Sequence, residues 1–242
     1  MILKFPSKFK DWDITIALRY LPVVSFLERE KAKKDSILEI GSGSFGICPY
    51  LREKVTGVDI VFDKKTHRLL NPVRSKAEKL PFKDNAFHFV LSIDALEHLS
   101  ARKRKLAIKE MFRVSRKGVI IGTPSGFWAS LADKFLDWYY SRTHKDKLAF
   151  LTEHLSYGLP KKKELEKWLV DELSVRNKKA EIKIHNNTNV FLLISLLILG
   201  FSENKFLCRL YRYTLFLIPI LRFFNFSPAY RKLFFVRIQK DE

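Results

Sequence analysis

The sequence predicts an α/β fold, a doubly wound and mostly parallel sheet with helices on both faces. Three observations carry this expectation. Short apolar runs at Ile37–Ile40, Val55–Asp59, Phe87–Ser92 and Val119–Gly122 alternate with helical or turn-rich stretches, as strands covered on both faces do. The first run leads directly into the glycine turn Gly41-Ser42-Gly43-Ser44-Phe45-Gly46. The second ends on a carboxylate, Asp59, which an open parallel sheet places at the strand edge where ligands bind.

The N-terminal stretch Met1–Lys10 alternates lysine with phenylalanine and has no apolar core of signal-peptide length, so a cytoplasmic protein is expected. From Asp13, residues Ile14, Ala17, Leu18 and Leu21 fall at i, i+3, i+4 and i+7, an amphipathic helix that Pro22 interrupts before Val24–Leu27 resume it. After the glycine turn a helix is expected over Ile47–Glu53, its first amides facing a ligand. A weaker strand is placed at Pro72–Ser75. Ser100 is the expected N-cap of a helix over Ala101–Val114, with Ile108, Met111 and Phe112 facing inward, and Gly118 closes that unit before the fifth strand.

Beyond Thr123, aromatic and charged residues over Phe127–Leu151 show no strand alternation and predict a helical lid above the sheet edge. A lysine-rich helix to about Leu173 and a strand at Ala180–His185 follow. Two apolar runs, Val190–Leu199 and Tyr213–Leu221, are each shorter than the ~20 residues that cross a bilayer, and Leu233–Ile238 reads as a closing strand. The expected organisation is one domain over residues 1–242. It comprises a helical cap (1–35), a cofactor-binding core (36–124), a lid (125–160) and a C-terminal part (161–242) with apolar helices within 187–228.

Composition narrows the partners. Lys and Arg outnumber Asp and Glu by 45 to 26, a formal charge of +19, which suits an anionic partner or a plainly lysine-rich surface. Two distant cysteines, Cys48 and Cys208, make neither a disulfide framework nor a thiolate metal cluster. Asn204–Lys240 holds eight basic residues and no acidic one among many aromatics, a pattern that fits the surface of an anionic membrane. Nucleic acid is disfavoured, since those basic residues sit in aliphatic sequence with no RNA-binding module.

Gly41, Gly43 and Gly46 satisfy G-x-G-x-x-G, with Asp59 eighteen residues after Gly41, a spacing that serves a dinucleotide or an S-adenosylmethionine site equally well. The next segment separates the two. Ala77-Glu78-Lys79-Leu80-Pro81-Phe82, then Asp94-Ala95-Leu96-Glu97-His98-Leu99, resemble the class I S-adenosylmethionine-dependent methyltransferases, in particular the type 11-like group. The likeness continues in Glu110–Val114 and Thr123-Pro124, and again at Glu153-His154 and Gly158–Pro160.

The resemblance implies a Rossmann-like sheet of seven strands, S-adenosyl-L-methionine as cofactor, and a small or lipid-linked acceptor. It places the methionine end of the cofactor on Glu39 and the Gly41-Ser42-Gly43 turn, and the ribose on Asp59. Ala77 and Glu78 border the adenine, and Ile60 and Asp94 complete the cofactor-binding set. His98 and His154 are the candidate bases, with Trp128, Trp138 and Glu153 beside them around the acceptor; no metal is implied. Phe45, Lys76 and His88 stand where the group usually has glycine, aspartate and aspartate.

Two rival readings are a non-catalytic membrane-bound scaffold with a degenerate cofactor fold, and an NAD-dependent reductase or epimerase. Tyr157 and Lys161 have the spacing of the latter's tyrosine-lysine pair, but Gly158 and Pro160 break the helix that pair needs.

Overall fold

The computed structural model describes residue 9 and residues 11–239; the readings for residues 1–8, 10 and 240–242 lie outside the described residues. Five strands run parallel in the order β3 (Leu70–Arg74), β2 (Val55–Asp59), β1 (Ile37–Ile40), β4 (Phe87–Ile93) and β5 (Ser115–Pro124). Next to β5 lies β7 (Ala229–Ile238), antiparallel to it and to the edge strand β6 (Ala180–Asn189). The chain winds outward from β1 in one direction through β2 and β3 and in the other through β4 and β5. The crevice at this reversal of strand order, beyond the carboxyl ends of β1 and β4, is where such sheets bind ligands.

Helices cover both faces. One face packs under α1 (Ile14–Glu30) and the short α2 (Cys48–Leu51), with Ile14, Val23, Leu27 and Cys48 against Phe89, Ile120 and Leu233. The other packs under α3 (Ala101–Val114) and α6 (Lys162–Val175), through Ile108, Met111, Leu165 and Leu169. Between β5 and α6 lie α4 (Phe127–His144) and α5 (Ala149–Tyr157), the pair expected as a lid. Between β6 and β7 stand α7 (Val190–Gly200), α8 (Lys205–Tyr213), a 3₁₀ turn at Thr214–Leu217 and α9 (Ile218–Leu221). Leu196, Leu215 and Ile218 from this insertion join the core beneath α1. Among the described residues no helix is long and apolar enough to cross a membrane.

Several local readings need correction. Helix α1 runs unbroken through Pro22. Proline removes the N–H that would bond the carbonyl of Leu18, and Asn187 Nδ2, arriving from β6, donates to that carbonyl at 3.0 Å. The helix behind the glycine turn is only four residues, ended by Arg52 in the left-handed region at φ 60°. Strand β5 begins at Ser115 and runs through Gly118, where the backbone of Val236 and the ring of Phe89 come within about 3 Å of any added side chain. The third strand starts at Leu70, two residues earlier than its alternation shows.

Candidate active site

A cavity of about 950 Å³ opens at the crevice. Its floor is the turn after β1. Gly41 takes φ +73°, and a methyl group there would sit 2.2 Å from Cβ of Ala95. Gly43 takes φ +53° and faces open space, with nothing within 4 Å of where its Cβ would stand. Both conformations are ones that glycine adopts without strain. Asp59, at the end of β2, accepts from the amide of Gly43 at 2.7 Å on Oδ2 and from that of Ile60 at 2.7 Å on Oδ1. The amide of Val61 also approaches Oδ1, at 3.4 Å, so Oδ2 is the less engaged oxygen of this cavity-lining carboxylate.

Ser42, Ile60, Ala77 and Glu78 also line this space, as do Phe45 and Lys76. His88 does not; it holds the opposite end of the sheet, accepting from the Ser36 amide at 3.0 Å on Nδ1 and lying 3.4 Å from Asp35 on Nε2.

Glu39 departs from its expected role. It is fully buried beneath the glycine turn and does not line the cavity. Tyr20 Oη donates to its Oε1 and the amide of Ile47 to its Oε2, both at 2.7 Å. The first amide behind the turn is therefore spent on Glu39 rather than on a ligand. Burial outweighs these two bonds and raises the pKa of Glu39 from 4.5 to about 7. The stability linked to this shift is full below pH 4.5 and is lost as pH rises through about 7, because only the folded state keeps the proton in between. Glu39→Gln mimics the protonated acid. It should match the wild type near pH 4.5 and exceed it by about 3 kcal/mol at pH 8 in urea unfolding, whereas parallel pH profiles would remove the buried charge from the account.

The far wall is the segment after β4. Asp94, at φ 49°, is held by Arg231 Nε at 2.7 Å from both its oxygens and by Arg19 Nε at 3.1 Å. Burial opposes its ionisation, but the two guanidinium charges prevail and lower its pKa. Asp94 thus faces the cavity as a neutralised carboxylate. The next residues form a 3₁₀ turn, Leu96–His98, pinned by Arg104, whose guanidinium is buried and donates to the carbonyls of Leu96 (2.9 Å), Glu97 (3.2 Å) and Gly158.

His98 lines the cavity and shares a hydrogen bond of 2.6 Å with Glu153 of α5 through Nδ1. Burial, then the neighbouring His154, depress its pKa. His154, by contrast, stands behind the wall. It is 5% exposed, its Nδ1 bonds Asp133 of α4 at 2.9 Å, and its ring centre lies 4.9 Å from that of His98. Burial works against its protonation, yet Asp133 and the charge of Glu97 outweigh it and raise the pKa.

Trp128 and Trp138 leave the acceptor pocket altogether. The inward stripe of α4 is Ala129, Ala132, Asp133 and Leu136; Trp138 falls on the opposite face, 56% exposed, and Trp128 on the flank against Phe191, 43% exposed. Sequence reasoning also missed Arg19, Tyr20, Arg104, Asp133 and Arg231. For two of them a signal existed. Arg104 continues the buried i+4, i+7 series with Ile108 and Met111, and Asp133 lies on the apolar stripe of its helix.

A profile of the methyltransferase domain family matches residues 38–122, the span from β1 to β5 that builds the floor and the far wall. Residues 38–122 thus carry a methyltransferase domain. Solved structures share the methyltransferase's fold over nearly their whole length. A candidate methyltransferase of an antibiotic biosynthesis pathway from Anabaena variabilis is 17% identical, with 94% of this chain and 99% of that one aligned at a TM-score of 0.55. The methyltransferase domain of bacterial CtHen1-C is 13% identical over 93% and 99% at 0.52. The YcgJ protein from Bacillus subtilis is 15% identical over 94% and 100% at 0.50. No curated protein matches the methyltransferase in sequence.

The cavity fits S-adenosyl-L-methionine, the cofactor of this family: Asp59 would accept from its diol, Gly43 leaves an open approach, and Ile60 and Ala77 would offer an apolar shelf. That cofactor supplies a methyl group already activated on a sulfonium. The protein's own task is then to align an acceptor with it and to exclude water.

Proposed function

We propose that this methyltransferase acts on a small or lipid-linked acceptor presented at an anionic membrane surface. Asp59 holds the ribose, the Gly41–Gly43 turn the methionine end, and Ala77 and Glu78 border the adenine. The acceptor enters beside His98. One observation carries the membrane reading: the outer face of the lid and the insertion is apolar and basic together. Phe127, Leu131, Phe135 and Trp138 form an exposed stripe along α4, and Trp128 meets Phe191 of the adjoining α7 with ring centres 6.2 Å apart. Phe206, Ile220 and Phe223 are exposed along α8, α9 and the residues just after them, beside the exposed basic residues Lys205, Arg209 and Arg222. A face of this extent costs solubility unless something covers it.

Not every basic residue of the tail faces outward. Arg231 is buried and serves the cavity wall through Asp94. Neutralising Lys205, Arg209 and Arg222 to Gln should therefore remove the attraction without touching the site. At about 1 kcal/mol per charge, partition onto anionic vesicles should weaken on the order of a hundredfold. Wild-type protein should float with anionic vesicles at low salt and less at high salt. Wild type that remains in the aqueous fraction at low salt would make a dissolved acceptor the better reading.

A further inference from the structure

We infer that Glu97, His98 and His154 form a binding site for one divalent first-row metal ion at the acceptor end of the cavity. One ligand atom from each lies within 4.8 Å of the other two, and Oε1 of Glu97 stands 4.0 Å from Nε2 of His154. Those two atoms are fully enclosed and have no hydrogen-bond partner, although their side chains are 1% and 4% exposed. An unpartnered buried polar atom costs about 1–3 kcal/mol, so two that face each other across a gap too long for a hydrogen bond call for a ligand between them.

The surroundings are those of a metal site rather than of a strained pair. Each imidazole presents Nδ1 to a carboxylate, His98 to Glu153 at 2.6 Å and His154 to Asp133 at 2.9 Å. With Nδ1–H donating there, Nε2 carries the free lone pair, the arrangement that orients metal-bound histidines and raises their basicity. The remaining oxygen of Glu97 accepts from Thr123 Oγ1 at 3.0 Å, which fixes the carboxylate with Oε1 turned to the gap. Asp133 is itself held by Tyr230 Oη at 2.6 Å.

Bonds of about 2.0–2.2 Å to nitrogen and oxygen bring ligand atoms to about 3–3.5 Å of one another, so a closure of about 1 Å completes the set. Two imidazoles and one carboxylate suit Mn²⁺, Fe²⁺, Co²⁺ or Zn²⁺ and leave coordination positions open. His98 belongs to both the cluster and the cavity wall, so an oxygen donor of the acceptor is the chemical class those positions take. That last step rests on the methyl-transfer reading; the binding of the ion does not.

The test is titration of tag-free, chelator-treated protein with Co²⁺, followed by its visible absorption, without S-adenosylmethionine. One equivalent should bind. His98→Ala should raise the dissociation constant at least tenfold, and Glu153→Gln, which leaves every ligand in place, about tenfold. Both residues sit at the cavity margin, so these variants test the site even if Glu97→Gln or His154→Ala fails to fold. His185→Ala, on β6, should bind as the wild type does. Absence of stoichiometric binding, or equal affinity in wild type and His98→Ala, would overturn the assignment while leaving cofactor binding to be measured by its own titration.

Discussion

Asp59→Ala should stay folded and lose ten- to hundredfold in affinity for S-adenosylmethionine when titrated calorimetrically. Its carboxylate is the charged acceptor assigned to the ribose, and a hydrogen bond to a charged group contributes about 1.5–3 kcal/mol. The same carboxylate receives the amides of Gly43 and Ile60. Its removal therefore loosens the floor as well as the ribose contact, and the upper part of that range is expected. Asn at this position keeps one acceptor oxygen and should recover part of the loss. Unchanged affinity in both variants would take Asp59 out of the site.

The two glycines of the floor should fail in different ways. Gly41→Ala places a methyl group 2.2 Å from Ala95 Cβ in a backbone conformation unfavourable to alanine. Strain of about 1 kcal/mol and crowding of about 1–3 kcal/mol together lower stability by roughly 3 kcal/mol, a fall in melting temperature of about 6–12 °C for a chain of this size. Gly43→Ala meets no neighbour and should cost only the strain term, about 1 kcal/mol. Its methyl group points into the space assigned to the cofactor, so affinity should drop far more than stability. Equal melting temperatures for the two variants would contradict this division.

Much of the fold was legible because it rests on patterns of short range. Apolar runs ending in a glycine turn or a carboxylate marked β1 and β2, and the buried i+3, i+4 series gave α3 almost to the residue. What the sequence concealed depends on partners far along the chain. Pro22 reads as an interruption until Asn187 comes to the orphaned carbonyl. Glu39 reads as a ligand residue until Tyr20 and Ile47 claim both its oxygens. The cofactor floor was readable for the same reason as β1 and β2, being built from a local turn and a strand end. The other end of the cavity was legible only in part: His98 and His154 stood out as candidate bases, but that Asp133 and Tyr230 come from other segments to hold His154 shows only in three dimensions. Trp128 and Trp138 misled because aromatic content says nothing of which helix face turns inward.

The dependence of α1 on distant residues bears on how the protein is made. Asn187 lies 169 positions after the carbonyl it serves, and Tyr211, whose hydroxyl donates at 2.6 Å to the capping residue Asp13, lies 198 positions after it. A ribosome releases α1 long before either arrives, so the helix that brings Arg19 and Tyr20 to the cavity leaves synthesis with its local cap made but its proline break unfilled. The surroundings of α1 are thus completed only after residues 187 and 211 have been made, late relative to the glycine turn that Arg19 and Tyr20 face across the cavity.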